Sequence, residues 1–166
     1  MNDLCVQHLQ RDHHTCEGVM QKLTTLLELQ QPARRWAERD AQLYREVGSF
    51  FQGVVFKHIR KEEEIFYPAL EDYLPRDVGP LAVLRGEHRD IAAAYERLRE
   101  AADVLAEGAA DSHAQLQFLN AGHALLRLIH DHLYKENRVL FPMVARFFSA
   151  ERDASLLELM KAIDAG

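Results

Sequence analysis

Two segments of this 166-residue chain, 74 positions apart, carry a histidine, a lysine, a glutamate and a proline at matching places. The first is His58-x-x-x-Glu62 and ends at Pro68; the second is His132-x-x-x-Glu136, with a proline at the same distance. On a helix, residues four apart lie one above the other on the same face. Each segment therefore points an imidazole and a carboxylate the same way, as two ligands of one metal ion must.

Each of these pairs also has a matching histidine upstream. His13 precedes His58 by 45 residues, His88 precedes His132 by 44, and each upstream histidine directly follows an acidic residue. A single His-x-x-x-Glu pair arises easily on an amphipathic helix, where it is a solvated pair of side chains. Two copies with matched upstream histidines and downstream prolines indicate a metal site built from two similar halves.

Apolar residues recur at helical spacing through most of the chain, and no segment alternates like a half-buried strand. Four long helices with short connections predict an all-α fold, an antiparallel up-down-up-down four-helix bundle with a short C-terminal helix, in a single domain over residues 1–166. Pro68 and Pro142 should kink or end their helices, because proline lacks a backbone donor. The predicted helices cover residues 3–30, 33–72, 80–107 and 111–147, with the tail helix over 149–162.

Capping residues accompany these boundaries. Asn2 or Asp3 can begin the first helix, and Pro32 can open the second. Gly108 is a plausible end for the third helix, and Ser149 can begin the tail helix.

Composition excludes several classes of partner. The net charge of -6 and the lack of a basic stripe argue against a nucleic-acid surface. No apolar run approaches the roughly 20 residues that span a bilayer, and the N-terminus lacks the features of a signal peptide. Cys5 and Cys16, about three helical turns apart, cannot bridge each other. We therefore expect reduced thiols and a cytoplasmic protein without a membrane partner, with a homodimer left open.

The ligand types narrow the choice of metal. Four imidazoles and two carboxylates without a thiolate argue against structural zinc and iron-sulfur clusters. Nitrogen and oxygen ligands suit iron, and manganese or zinc would also fit. Six ligands are too many for one tetrahedral ion and match two metals that each take two histidines and share bridging glutamates. The predicted metal ligands are His13, His58, Glu62, His88, His132 and Glu136.

At these residues the chain resembles the hemerythrin-like proteins, the family of HHE cation-binding domains. The resemblance covers about residues 3–147 and implies a four-helix bundle around a non-haem di-iron centre, with an oxo or hydroxo bridge and the six ligands above. It extends to di-iron proteins that repair iron-sulfur centres under nitrosative stress, although their cysteine-bearing N-terminal domain is absent from this sequence. The matching pieces are Asp12-His13, His58-x-x-x-Glu62 with Phe66-Tyr67-Pro68, Glu87-His88, and His132-x-x-x-Glu136 with Leu140-Phe141-Pro142.

One position departs from the oxygen-carrying hemerythrins, which place two histidine ligands one turn apart on the third helix. The residue one turn after His88 is Ala92. The resemblance thus predicts an open coordination position and a protein that binds or reacts with O2, NO or peroxide, in stress response or iron handling. The alternatives are an iron- or oxygen-responsive binding module without turnover, a reversible oxygen carrier, and a helical interaction domain with zinc or no metal. Whether the protein is an enzyme is left open.

Some neighbours compete for places in the site. His14 could replace His13, and His130 could compete with His132, although only His132 has a glutamate four residues on. Glu17 follows His13 by four residues, and we expect it to orient a histidine instead of binding metal.

Three other residues near the predicted ligands are not expected to take part in the site. Glu63 and Glu64 are predicted to belong to a solvated face, since charge runs on helices usually do. Cys16, about one turn from His13, is expected to be a buried, inert thiol.

Overall fold

A computed structural model describes residues 4–30, 34–108, 111–144 and 146–166, and it confirms the prediction of an all-helical chain. No strand occurs among these residues. The up-down-up-down antiparallel order and the single-domain organisation stay predictions. The helices are α1, Leu4–Glu28; α2, residues 38–70; α3, Pro80–Ala106; α4, residues 112–144; and α5, Ala150–Ala165.

The second helix begins five residues later than predicted. Residues 34–37 are not helical, and α2 starts at Glu38. Asp40 explains this start, because its Oδ2 accepts hydrogen bonds from the backbone N–H of Ala37 and from Arg34, both at 2.7 Å. Such a bond ties up an amide that the first helical turn would leave unpaired. The predicted roles of Asn2, Asp3 and Pro32 fall outside the described residues.

α2 and α4 each contain a π-helical turn directly before their repeated proline. In α2 the turn covers Glu62–Phe66, and the N–H of Tyr67 bonds to the carbonyl of Glu62, five residues earlier. In α4 it covers Glu136–Leu140. Pro68 lacks a backbone donor and crowds the carbonyl four residues earlier, so a wider turn accommodates it. Both helices therefore pass through their prolines and end two residues beyond them.

The predicted starts of the later helices agree with the structure to within one residue, whereas α4 ends at Val144, three residues before its predicted end. Gly108 follows α3 with φ +83°, a backbone conformation that glycine adopts without steric cost. The carboxylate of Asp111 accepts from the N–H groups of His113 and Ala114 at the start of α4. Ser149 accepts from the N–H of Arg152 and caps α5, which runs three residues past its predicted end.

α5 also completes the start of α1. Asp153 is buried, and its carboxylate accepts from the N–H of Leu4 at 2.7 Å and of Cys5 at 3.1 Å. These donors have no partner within α1, so the contact joins the two helices. Among the described residues, no helix is long and apolar enough to cross a membrane. The cytoplasmic location stays a prediction.

Two apolar clusters enclose a polar layer. Along α1, Leu9 belongs to one cluster and Cys16 to the other, and His13 lies between them. Along α3, Leu84 belongs to the cluster of Leu9 and Ile91 to the cluster of Cys16, and His88 lies between them. The predicted ligands thus occupy the same level of the fold, between packed side chains that exclude water.

Candidate metal centre

The four predicted histidines meet in this polar layer as two facing pairs. Nε2 of His13 lies 3.0 Å from Nε2 of His58, and Nε2 of His88 lies 3.1 Å from that of His132. None of the four is more than 4% exposed. Two imidazoles bound at right angles to one metal, each at about 2.1 Å, would have Nε2 atoms roughly 3.0 Å apart. The spacing in both pairs therefore fits neighbouring ligands on one ion.

The residue before each upstream histidine orients the histidine of the next helix. Oδ2 of Asp12 lies 3.0 Å from Nδ1 of His58, and Oε2 of Glu87 lies 3.1 Å from Nδ1 of His132. A carboxylate can only accept at this distance, so Nδ1 carries the hydrogen. When the imidazole is neutral, Nε2 then carries the lone pair, which is the state a metal ligand needs.

The residue after each predicted glutamate ligand orients one of the upstream histidines through its Nδ1 atom. Oε1 of Glu63 lies 2.7 Å from Nδ1 of His88, and Oδ1 of Asn137 lies 3.1 Å from Nδ1 of His13. The repeat therefore extends to the hydrogen-bond partners of the site. It differs in one respect, because His88 has a carboxylate partner and His13 an amide.

Glu62 joins the two histidine pairs. It is fully buried, with Oε1 3.3 Å from Nε2 of His58 and Oε2 3.1 Å from Nε2 of His88. Glu136 is also fully buried, and its Oε2 lies 3.1 Å from Nε2 of His13 and 3.3 Å from Nε2 of His132. Glu62 thus offers one oxygen to each half, whereas Glu136 offers a single oxygen between them.

The donor atoms form two groups that could each hold a cation. One group is His13, His58, Glu62 and Glu136, and the other is Glu62, His88 and His132, with donor atoms within 4.8 Å of one another. Oε1 of Glu62 and Oε2 of Glu136 are buried, and in the described part of the chain no hydrogen-bond donor other than the imidazole nitrogens faces them. Burying such charged oxygens is costly unless a cation offsets it. The donor set therefore fits two metal ions.

Comparison with known proteins agrees with this geometry. The family model of the hemerythrin HHE cation-binding domain matches residues 5–144, with a further match over residues 80–163. This chain belongs to the hemerythrin HHE cation-binding family. The iron-sulfur cluster repair protein YtfE of Enterobacter sp. (strain 638) is 28% identical over 89 residues, 53% of this chain and 40% of that relative. The aligned region thus spans less than half of that relative. No solved structure matches the chain.

Tyr67 lies in the repeated motif of this HHE domain and contacts the site, although it was not among the predicted ligands. Its hydroxyl donates to Oε1 of Glu136 at 2.7 Å, and its ring stacks on His88 with centroids 5.6 Å apart. Burial and the charge of Glu136 raise the pKa of Tyr67 well above its ordinary value, so the hydroxyl remains a donor. Phe141 holds the equivalent position and stacks on His13. The difference between Tyr67 and Phe141 at equivalent places of the repeat was the sequence signal that could have revealed this contact.

The carboxylates of the HHE site favour protonated imidazoles. Burial lowers the pKa of His58, but Glu62 and Asp12 outweigh it and raise the pKa well above 6.5. Burial is likewise outweighed by Glu62 and Glu63 at His88, where the pKa rises to about 9. Burial raises the pKa of Glu136, yet the neighbouring imidazoles hold it well below its usual range. A metal ion therefore competes with protons for these histidines.

The structure places the competing residues outside the donor groups of the HHE site. His14 and His130 are exposed. Glu17 is 3.4 Å from exposed His14, so the expectation that it orients a ligand histidine is wrong. Ala92 is exposed, and the open coordination position linked to it stays a prediction.

Glu63 corrects another expectation. It was predicted to lie on a solvated face, but its carboxylate contacts His88 and also accepts from Arg85 at 3.1 Å. Both partners are on α3, and no pattern within α2 reveals them. Glu64 is exposed and pairs with Arg60, as a solvated residue would.

A cavity of about 170 Å³ lies beside the HHE site. His13 and Asn137 form its inner side, and Glu17 and Arg138 lie among its other lining residues. One histidine of the polar layer thus lines this cavity.

Proposed function

We propose that this HHE domain holds two iron ions between its four histidines and two glutamates. In this proposal the centre binds or reacts with O2, NO or peroxide, in stress response or iron handling. The observation that carries it is the pairing of imidazoles at 3.0 and 3.1 Å in two halves that share the buried carboxylate of Glu62. The antiparallel up-down-up-down bundle belongs to the same proposal.

The donors favour iron. The two groups contain imidazole nitrogens and carboxylate oxygens, and the buried thiol of Cys16 is in neither. The name of the YtfE relative, an iron-sulfur cluster repair protein, supports iron as the metal and iron handling as one role. Manganese and zinc remain the alternatives that elemental analysis separates.

The residues around the donors suit a reaction with a small molecule. Bound iron would supply electrons and exchangeable coordination positions. Tyr67 holds a hydroxyl proton against Oε1 of Glu136, which keeps the other oxygen turned toward the histidines. The cavity beside His13, about 170 Å³, exceeds the roughly 30 Å³ that a water molecule occupies in the liquid. O2, NO and peroxide are small enough to enter it.

The test has two stages. Protein loaded with iron under anaerobic conditions should contain two iron ions per chain, and one or fewer would overturn the two-metal model. The reduced protein should then take up NO, and O2 should oxidise it in a way that degassing does not reverse. A stable adduct that releases O2 over repeated cycles would identify an oxygen carrier instead. The variant Glu62→Ala serves as the control that should load less iron, because it lacks the carboxylate shared by both halves.

A further inference from the structure

A buried lysine connects α5 to the histidine site. Lys61 is 1% exposed, and its Nζ lies 2.7 Å from Oδ1 of Asp164 on α5 and 2.6 Å from Oδ2 of Asp12 on α1. The same oxygen of Asp12 accepts from Nδ1 of His58 at 3.0 Å. A continuous set of charged hydrogen bonds therefore runs from α5 to a histidine of the candidate metal centre.

Asp164 is held in place by three contacts. Besides Lys61, its Oδ2 lies 2.7 Å from Nε2 of His8, and its backbone carbonyl accepts from Nζ of Lys57 at 2.9 Å. At the other end of α5, Asp153 binds the first N–H groups of α1. Because both ends of α5 are fixed, the position of Asp164 is set by the fold and not by a single surface ion pair.

The second half of the repeat provides an internal comparison. Lys135 contacts Oε1 of Glu87, while His132 uses Oε2 of the same residue. The side chain of Lys135 is 44% exposed, so water and salt screen this contact. In the first half, Lys61 and His58 share one oxygen of Asp12. The ammonium group of Lys61 is buried, although Asp12 is partly exposed and Asp164 is exposed, so electrostatic changes at Lys61 should be screened less than those at Lys135.

Removing one partner from this set leaves the others mismatched. A buried ammonium group needs compensating carboxylates, and Lys61 has two. Without Asp164, Asp12 is the one carboxylate of the described residues that still compensates Lys61, and the hydrogen bond of Asp12 to His58 changes. Partners of this kind orient a ligand imidazole, and their loss typically costs about 10–100-fold in metal affinity.

We propose that Asp164 and Lys61 are positioning residues, through which α5 holds Asp12 against His58 and sets how tightly the His13–His58 half retains its metal ion. This inference rests on the proposed function, because it takes both histidine pairs to be metal sites.

The test compares metal loss from loaded proteins. Wild type, Asp164→Asn, Lys61→Met and the control Lys135→Met are loaded anaerobically with ferrous iron and mixed with excess ferrous chelator. In Asp164→Asn and Lys61→Met, one of the two ions should leave about tenfold faster or more, while the other leaves at the wild-type rate. Lys135→Met should change neither rate more than about threefold. Asp164→Glu, which keeps the carboxylate that Asp164→Asn lacks, should lose both ions at about the wild-type rate.

Two further measurements separate positioning from a general structural role. If Asp164 acts through Asp12, adding Asp164→Asn to Asp12→Asn should not accelerate metal loss beyond Asp12→Asn alone. Metal-free Asp164→Asn should keep the wild-type helical circular dichroism.

Each contrary outcome has a distinct meaning. Wild-type metal loss in both Asp164→Asn and Lys61→Met, or equal acceleration by Lys135→Met, would overturn the inference and leave the proposed function standing. So would additive effects of the Asp12 and Asp164 variants. A wild-type protein that loads fewer than two ions would overturn the proposed function, and the inference with it.

Discussion

Tyr67 on α2 donates its hydroxyl hydrogen to Oε1 of Glu136 on α4, at 2.7 Å, and both side chains are fully buried. The repeat offers no counterpart, since Phe141 holds the equivalent place. Two halves with the same candidate ligands therefore hold their glutamates differently. Glu62 faces both histidine pairs with separate oxygens, while Glu136 has one oxygen fixed by Tyr67.

Replacing Tyr67 with phenylalanine should destabilise the metal-free protein. The change removes a hydrogen bond to a buried charged group, and such bonds contribute roughly 1.5–3 kcal/mol. Urea denaturation of Tyr67→Phe should show a free energy of unfolding lower by about 2 kcal/mol. Tyr134 is 60% exposed, and Tyr134→Phe should stay within about 0.5 kcal/mol of wild type. Equal stability of Tyr67→Phe and wild type would mean that Glu136 does not depend on this contact.

Substitutions of the candidate ligands should lower the metal content to different degrees. Glu62→Ala should lower occupancy of both halves, because its oxygens face His58 and His88. His132→Ala should mainly lower occupancy of its own half. Elemental analysis of reconstituted protein measures this, with Glu64→Ala as the exposed control. Full loading of Glu62→Ala with two ions would exclude Glu62 as a shared ligand.

Glu63 should matter for metal affinity, although it belongs to neither donor group. Glu63→Gln weakens the acceptor 2.7 Å from Nδ1 of His88 and should reduce affinity by about 10-fold or more. Competition with a chelator measures the affinity. The adjacent substitution Glu64→Gln changes the same charge on an exposed residue and should have little effect. If both variants bind metal like wild type, the contact with His88 has no influence on the site.

Metal removal should lower the thermal stability of the protein. Without a metal ion, the buried carboxylates of Glu62 and Glu136, which have donor oxygens within 4.8 Å of each other, oppose folding. Metal that binds only the folded state adds about 2.7 kcal/mol at a free concentration 100 times its Kd. Calorimetry with and without metal measures the difference, and Glu62→Ala should show a smaller one. Equal melting temperatures for wild type would indicate that metal binds elsewhere.

The two cysteines should be unreactive in the folded protein. Burial raises the pKa of Cys16 to about 11 and that of Cys5 further, and the thiolate is the reactive form. Because the folded-state pKa is raised, the thiols stay protonated until the pH approaches 11. Iodoacetamide at pH 8 should modify both residues slowly in buffer and rapidly in urea. Fast modification of Cys16 in buffer would show that its surroundings open to solvent.

The sequence predicted the helices well because helical patterning is local. The end of α3 at Gly108 and the cap of α5 at Ser149 follow from residues close to each boundary. The start of α2 was predicted five residues early, because Pro32 suggested an opening while Asp40 makes the capping contact. The two prolines were expected to kink or end their helices, but a π-helical turn lets each helix continue past them.

What the sequence determined by itself is the set of candidate donors, since a histidine and a glutamate four residues apart share a helix face in any amphipathic helix. The repeat then paired His13 with His58 and His88 with His132. Only the tertiary structure decided which acceptor orients each imidazole and which lysine is buried. Asp12 and His58 are 46 residues apart, and Lys61 and Asp164 are 103 apart. Such pairs meet only when whole helices pack, so no local spacing encodes them.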